Sequence, residues 1–249
     1  MIGLVARPAL FLSIFKKNLN ISPMRLDLTA QATQRLRCTC CLRAQSACIC
    51  QWITPVAHDV EVLVLQHPLE VGNAKGSARL LCLSLAHSQM VTGEVFDESE
   101  LQTLLTTQRI TNINGDQGKT PVLLYPPTPH DMRLLQTAPA VDRSLLETPE
   151  QLRLIVLDGT WRKSRKMLYL NPLLQALPRL SLRDTPAAYH QIRKAHRPDQ
   201  LSTLEATCAA LAQLENNNAP FKPLLTAFEG FLAQQLGYRR QVALAKAQS

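Results

Sequence analysis

The densest chemistry in the chain is Asp158-Gly159-Thr160-Trp161, followed at once by Arg162, Lys163, Arg165 and Lys166. Nine residues offer a carboxylate, a hydroxyl, an aromatic plate and four cations. They follow the apolar run LRLIVL, and ligands of open α/β sheets collect beyond the carboxyl ends of strands. On a helix Arg162 and Lys166 share a face with Lys163 beside them, while Arg165 points further round. Two readings stand at this point. Either the segment is a ligand edge with an acceptor, a stacking plate and anion contacts, or Asp158 caps a helix whose Trp161 packs into the core and whose cations face solvent.

A second cluster lies near the start. Five of the seven cysteines fall between positions 38 and 50, in RCTCCLRAQSACIC. Cys38, Cys41, Cys48 and Cys50 give CxxC, six residues, then CxC, a spacing that lets two tight turns aim four thiolates at one tetrahedral metal. Zinc is the default, and with four sulfurs the site is closed, so it is read as a structural knuckle. A disulfide framework, which needs an oxidising compartment, and an iron–sulfur cluster are the alternatives. Cys40 is the surplus thiol; Cys82 and Cys208 fall on apolar helix faces as small hydrophobes.

The elements that position these residues alternate. Residues 60–66 (VEVLVLQ) read as a strand, 77–87 as a helix and 91–96 as a short strand. Asp97 caps an acidic helix start (ESELQTLLT), residues 122–125 and 152–157 are buried strands, and a basic helix follows Thr160. STLE at Ser202 is a capping box, residues 204–214 carry an apolar stripe, and a final helix spans 221–236. Repeated strand-then-helix predicts an α/β fold with a mostly parallel sheet. The loops at 111–120 and 126–149, rich in Asn, Gly, Pro and Thr, read as insertions or substrate-facing segments. The expected division is an N-terminal extension at 1–34, a zinc knuckle at 35–55, a catalytic α/β domain at 56–240 and a tail at 241–249.

With 249 residues, 46% hydrophobic and 18% charged, the chain has enough apolar material for a substantial core, which excludes bulk disorder. Even its opening MIGLVARPALFLSIF is broken by Arg7 and Pro8, so no membrane span is expected. That opening carries Arg7, Lys16 and Lys17 but no small-residue cleavage site, and Met24 is an equally good start; a cytoplasmic protein is expected. The formal net charge is +8, and residues 153–200 alone hold ten Lys/Arg against Asp158, Asp184 and Asp199. Such concentration suits a polyanion, nucleic acid above all, with a solvated basic face as the alternative. No GxGxxG follows the first strand, where QHPLEVG stands, and no GxxxxGK[ST] occurs, which argues against a Rossmann methyltransferase loop and an NTPase.

Asp158-Gly159-Thr160-Trp161 matches an Asp-x-Thr-Trp signature, and here the chain resembles the DTW-domain family, the tRNA-uridine aminocarboxypropyltransferases. The CxxCx6CxC knuckle near the N-terminus resembles the family's as well. So do Gln66-His67-Pro68 with Glu70, Leu124-Tyr125-Pro126, Tyr189 with Ile192-Arg193, and Ser202-Thr203-Leu204-Glu205-Ala206, in the family's order. The resemblance covers roughly residues 35 to 235. It implies a SPOUT-like (knotted) catalytic domain and an S-adenosyl-L-methionine-dependent enzyme that moves the 3-amino-3-carboxypropyl group onto N3 of a tRNA uridine, releasing methylthioadenosine. An RNA methyltransferase using the same donor and a non-catalytic zinc-knuckle RNA-binding protein are the competing readings. The partner expected is tRNA, with no membrane and no obligate protein partner.

Under that resemblance Asp158 is the expected base for the N3 proton, with His67 and His190 as substitutes; an ordinary Asp near pKa 3.9 is a poor base unless burial raises it. Thr160 and Trp161 complete the catalytic set, Trp161 either stacking on uracil or adenine or packing in the core. Leu124, Tyr125 and Pro126 are expected to line the adenosine pocket. The helix start at Ser202, Thr203 and Leu204 is expected to hold the donor's carboxylate, or else to be a plain capping box. Arg162, Lys163, Arg165, Lys166, Arg193, Lys194 and Arg197 are the expected phosphate contacts. His67, Pro68 and Glu70 have no derivable role, a buried hydrogen-bonded histidine being the ordinary outcome.

Overall fold

The structure is a computed structural model that describes residues 36–106, 118–128, 131–135, 138–139, 141–183 and 201–247, all within the compact unit Leu36–Ser249. Five strands, β1 (Glu61–Gln66), β2 (Ser88–Thr92), β3 (Thr120–Leu124), β4 (Leu152–Asp158) and β5 (Arg179–Leu180), form one sheet in the order β2-β1-β4-β3-β5. Every pairing in it is parallel. The central strands are continuous apolar runs because helices cover both faces, and β4 is buried from end to end.

Alternate residues feed two cores. Val62, Val64, Leu154 and Val156 pack with α1 (Ala78–Ser84), α5 (Thr203–Leu214) and α6 (Lys222–Ala247). Leu63, Leu65, Ile155 and Leu157 pack with α2 (Glu98–Thr106), α3 (Trp161–Leu170) and α4 (Pro172–Gln175). The register between β1 and β4 is pinned at both ends. Arg153 Nε reaches Glu61 Oε2 at 3.0 Å where the strands begin, and Gln66 Nε2 donates to Asp158 Oδ2 at 2.9 Å where they end. The helix after β1 lies on one face and the helix after β4 on the other, which opens a crevice between their carboxyl ends.

Local chemistry sets the boundaries. The Asp97 carboxylate accepts from the Ser99 and Glu100 amides and starts α2, as expected. Ser202 and Glu205 form the anticipated capping box on α5. Several boundaries differ from expectation. The strand placed at 91–96 is Ser88–Thr92: the Gly93 amide donates to the Gln66 carbonyl, and a Cβ on Gly93 would sit 2.5 Å from Phe96 Cε1, so the chain turns there. The last helix continues past residue 236 to Ala247. The short α4 and two-residue β5 were not anticipated, and Tyr125 N donating to the Leu180 carbonyl shows why β5 exists at all. Among the described residues no helix is long and apolar enough to cross a membrane.

Candidate functional site

A cleft of about 780 Å³ opens at the carboxyl ends of β3, β4 and β5. Asp158, Gly159, Thr160 and Trp161 line one part of it, Leu124, Tyr125 and Pro126 another, and Ser202 and Thr203 a third. Segments spread from position 124 to position 203 therefore converge. Leu204 does not join them: its side chain is fully buried in the core, and its amide donates to Ser77 Oγ at 3.2 Å. Residues the motif reading passed over complete the walls, notably Asn73, Lys75, Gly76 and Ser77 from the loop after β1 and Leu180, Ser181 and Leu182 after β5. The turn-forming stretch G-N-A-K-G-S was the available signal for the first group.

Asp158 is 5% exposed. Its Oδ2 accepts from Gln66 Nε2 at 2.9 Å and its Oδ1 from Thr203 Oγ1 at 2.6 Å, so both oxygens are held by neutral donors from β1 and α5. It forms no ion pair among the described residues. The alternative of Asp158 as a helix cap is not what the side chain does: Thr160 is the N-cap of α3, and no side chain caps that end. A carboxylate offers about four lone-pair directions, so two remain for a ligand N–H.

Trp161 opens α3, half exposed, and stacks on the ring of Tyr125 with centroids 5.0 Å apart and planes 16° from parallel. It is a shelf beside the cleft rather than a core residue. Arg179 lies 5.2 Å from the centroid of the Tyr125 ring. Burial pushes the Tyr125 hydroxyl up to about 12, so it stays protonated in the physiological range.

The cations after Trp161 divide by what stands opposite them. Lys163 Nζ meets Glu70 Oε1 at 2.7 Å and Lys166 Nζ meets Glu94 Oε2 at 2.8 Å. Arg165 lies over the Tyr169 ring, 5.6 Å from its centroid. Arg162 is exposed and without an ion pair among the described residues. Arg193, Lys194 and Arg197, with Tyr189, His190 and Ile192, lie outside the described residues.

His67 and Glu70 now have roles. His67 is 5% exposed; its Nδ1 accepts from the Leu69 amide at 3.1 Å, which places the ring proton on Nε2, 2.8 Å from Glu94 Oε1. With both nitrogens engaged the ring has no lone pair to offer as a base. Burial raises the Glu70 carboxyl, but the Lys163 ammonium and the Asn73 amide outweigh it and leave the group below the usual carboxylate range. Lys166 and His67, outweighing burial, lower Glu94 as well. Together these pairs strap the turn after β1 to α3.

The four cysteines meet as the spacing predicts. Cys38 Sγ lies 3.6 Å from Cys50 Sγ and Cys41 Sγ 3.8 Å from Cys48 Sγ, with all four sulfurs within 4.8 Å of one another. Zinc–sulfur bonds of about 2.3 Å in a tetrahedron require sulfurs about 3.8 Å apart, so the set fits that ion. Backbone amides of Cys41 and Cys40 lower the Cys38 thiol to about 6, whereas burial and the neighbouring sulfurs raise Cys50, so without a metal the four sulfurs share protons. Leu42, at φ +61°, is forced into the left-handed region where the CxxC turn closes. Cys40 is exposed and outside the cluster, and Cys208 is fully buried.

Against known proteins, the DTW domain family model matches residues 35–236. A Mus musculus protein named tRNA-uridine aminocarboxypropyltransferase 2 is 28% identical over 220 residues, which is 86% of this chain and 68% of that protein. Proteins of the same name from Macaca fascicularis, 26% identical over the same shares, and Drosophila melanogaster, 28% identical over 74% of this chain and 68% of its own, also match. No solved structure matches.

Proposed function

The chain belongs to the DTW domain family, and from that premise we propose that it transfers the 3-amino-3-carboxypropyl group of S-adenosyl-L-methionine to N3 of a uridine in tRNA. The observation that carries the reading is the convergence, in one cleft, of a buried carboxylate with spare acceptor capacity and a half-exposed aromatic stack. An enzyme that alkylates a base nitrogen needs a plate for the base, an acceptor for its proton and a walled volume for the donor. The relatives' name supports the reaction.

Trp161, backed by Tyr125, stacks the extruded uracil so that its N3–H points at Asp158. Asp158 takes that proton. N3 then attacks the terminal carbon of the aminocarboxypropyl chain, the carbon–sulfur bond breaks, and its electron pair stays on sulfur in the departing methylthioadenosine. Gln66 and Thr203 keep the carboxylate aimed, so no reorganisation is needed at the moment of transfer. Leu124, Tyr125 and Pro126 wall the adenosine, and the start of α5 at Ser202 and Thr203 faces the donor's amino-acid end. Arg162 holds tRNA phosphate, joined by Arg165, Arg193, Lys194 and Arg197, while Lys163 and Lys166, paired with Glu70 and Glu94, hold the neighbouring loops to α3. Cys38, Cys41, Cys48 and Cys50 hold a structural zinc as four thiolates, in keeping with a protein of the reducing cytoplasm. The knotted, SPOUT-like relationship rests on the family resemblance.

The test is to incubate purified protein with unmodified tRNA and S-adenosylmethionine and examine the digested nucleosides by mass spectrometry. An aminocarboxypropyl adduct on uridine is expected. A methyl adduct would overturn the regiochemistry, and no adduct across several tRNA pools would favour an RNA-binding protein without transferase activity.

A further inference from the structure

Within the knuckle, two residues after Cys41, Arg43 reaches out of the metal cluster to the cleft. Its Nη1 donates to the Ala74 carbonyl at 2.7 Å, and its Nη2 to the Gly76 carbonyl at 2.8 Å and the Asn73 carbonyl at 3.4 Å. Those carbonyls belong to the loop whose Asn73, Lys75, Gly76 and Ser77 line the cleft. The guanidinium also lies over the Phe231 ring of α6, 5.1 Å from its centroid. A second strut runs the same way: Arg79 Nη2 donates to the Cys40 carbonyl at 2.6 Å.

The loop needs such a clamp. It leaves β1 through Gly72 at φ +82°, and its internal hydrogen bonds are single-turn contacts, Asn73 N to the Glu70 carbonyl, Lys75 N to Asn73 Oδ1 and Gly76 N to the Asn73 carbonyl. Onward, Asn73 Nδ2 donates to Glu70 Oε2 at 2.7 Å and Glu70 holds Lys163 of α3, while Ser77 Oγ accepts from Leu204 N in the first turn of α5. One guanidinium fork thus stands between the cysteine cluster and the two helices that start at the cleft.

We infer that Arg43 is a positioning residue: the four-cysteine centre shapes the donor-binding wall of the cleft through the Arg43 fork, so that metal occupancy and donor affinity are coupled. Only the choice of donor rests on the transferase reading. A fork satisfies three carbonyls at fixed angles, which a lysine cannot reproduce.

Full-length, zinc-loaded wild type, Arg43→Met and Arg43→Lys are compared by hydrogen exchange over residues 70–77 and by equilibrium binding of S-adenosylmethionine without tRNA. Met keeps packing against Phe231, and Lys keeps the charge. Coupling between linked sites commonly spans 5–150-fold, so loop exchange about tenfold faster and donor Kd about tenfold weaker are expected for Met, with Lys intermediate. Chelation of the wild-type metal should move the same amides in the same direction. Unchanged exchange in Arg43→Met overturns the inference, and faster exchange with unchanged Kd overturns the coupling to the cleft. Should the wild type bind no donor, the transferase reading falls, and the exchange measurements alone decide whether the knuckle holds the loop.

Discussion

Replacing Asp158 separates catalysis from architecture, because its two hydrogen bonds differ in kind. Gln66 Nε2 at 2.9 Å is an obligate donor, whereas the Thr203 hydroxyl at 2.6 Å can donate or accept. In Asp158→Asn the amide oxygen therefore turns to Gln66 and the amide nitrogen to Thr203, whose hydroxyl reverses; both bonds survive and only their charge assistance is lost, a cost of about 1 kcal/mol. In Asp158→Ala the Gln66 amide, 6% exposed, is left without an acceptor, at about 1–3 kcal/mol, which for a chain of this size lowers Tm by roughly 2–12 °C. Activity should not follow that order. Neither variant accepts the N3 proton, so both should lose on the order of 10²–10⁴ in transfer rate, the usual contribution of a general base. The assay is initial-rate formation of the modified nucleoside, with tRNA affinity from fluorescence anisotropy and Tm measured alongside. Asp158→Asn retaining more than a tenth of wild-type activity would refute Asp158 as the base. Loss of tRNA affinity in step with rate would make it a binding residue instead.

Trp161→Ala should raise the KM for tRNA on the order of tenfold while moving Tm little, since a stacked base is worth about 1–3 kcal/mol and the indole is half exposed; Trp161→Phe should recover most of the loss. Arg162→Ala should reduce the slope of log affinity against log salt by about 1, as one phosphate contact disappears, whereas Lys163→Met should leave the slope nearly unchanged and lower Tm, because its ammonium is spoken for by Glu70. The Glu70 carboxyl titrates below its ordinary 4.5, so its strap to Lys163 adds stability above that value and loses it as pH falls through the depressed pKa. The Tm difference between wild type and Glu70→Gln should accordingly be full near pH 7 and shrink as pH falls below the ordinary 4.5; a pH-independent difference would make the glutamate's role one of packing.

What could be read from the sequence was local. The apolar runs placed β1 and β4, Ser202 and Glu205 announced their own capping box, and four thiols within 13 residues fit one ion by spacing alone. The rest depends on what stands opposite. Helical spacing put Lys163 and Lys166 on an outward face, but not that Glu70 and Glu94 wait there, 93 and 72 positions away. Trp52 showed no pattern, yet its Nε1 donates to Gln234 Oε1 at 2.6 Å and its ring lies where a Cβ on Gly230 would be, 2.1 Å from Cζ3, locking the knuckle onto α6. A two-residue strand such as β5 is too short to show an alternation.

The two halves of the cleft follow from strand parity. Asp158 continues the series Leu154, Val156, and Gln66 the series Val62, Val64, so both point toward the layer that holds α5, where Thr203 meets the carboxylate. Tyr125 continues from Leu123 on the opposite layer, where α3 delivers Trp161 on top of it. Acid and shelf thus come from opposite faces of one sheet and meet only at its carboxyl edge. A slip of one residue between β1 and β4 would exchange those faces and part Gln66 from Asp158. The Glu61–Arg153 pair at the far end of the same two strands opposes that slip, which gives an ion pair remote from the cleft a hand in aligning it.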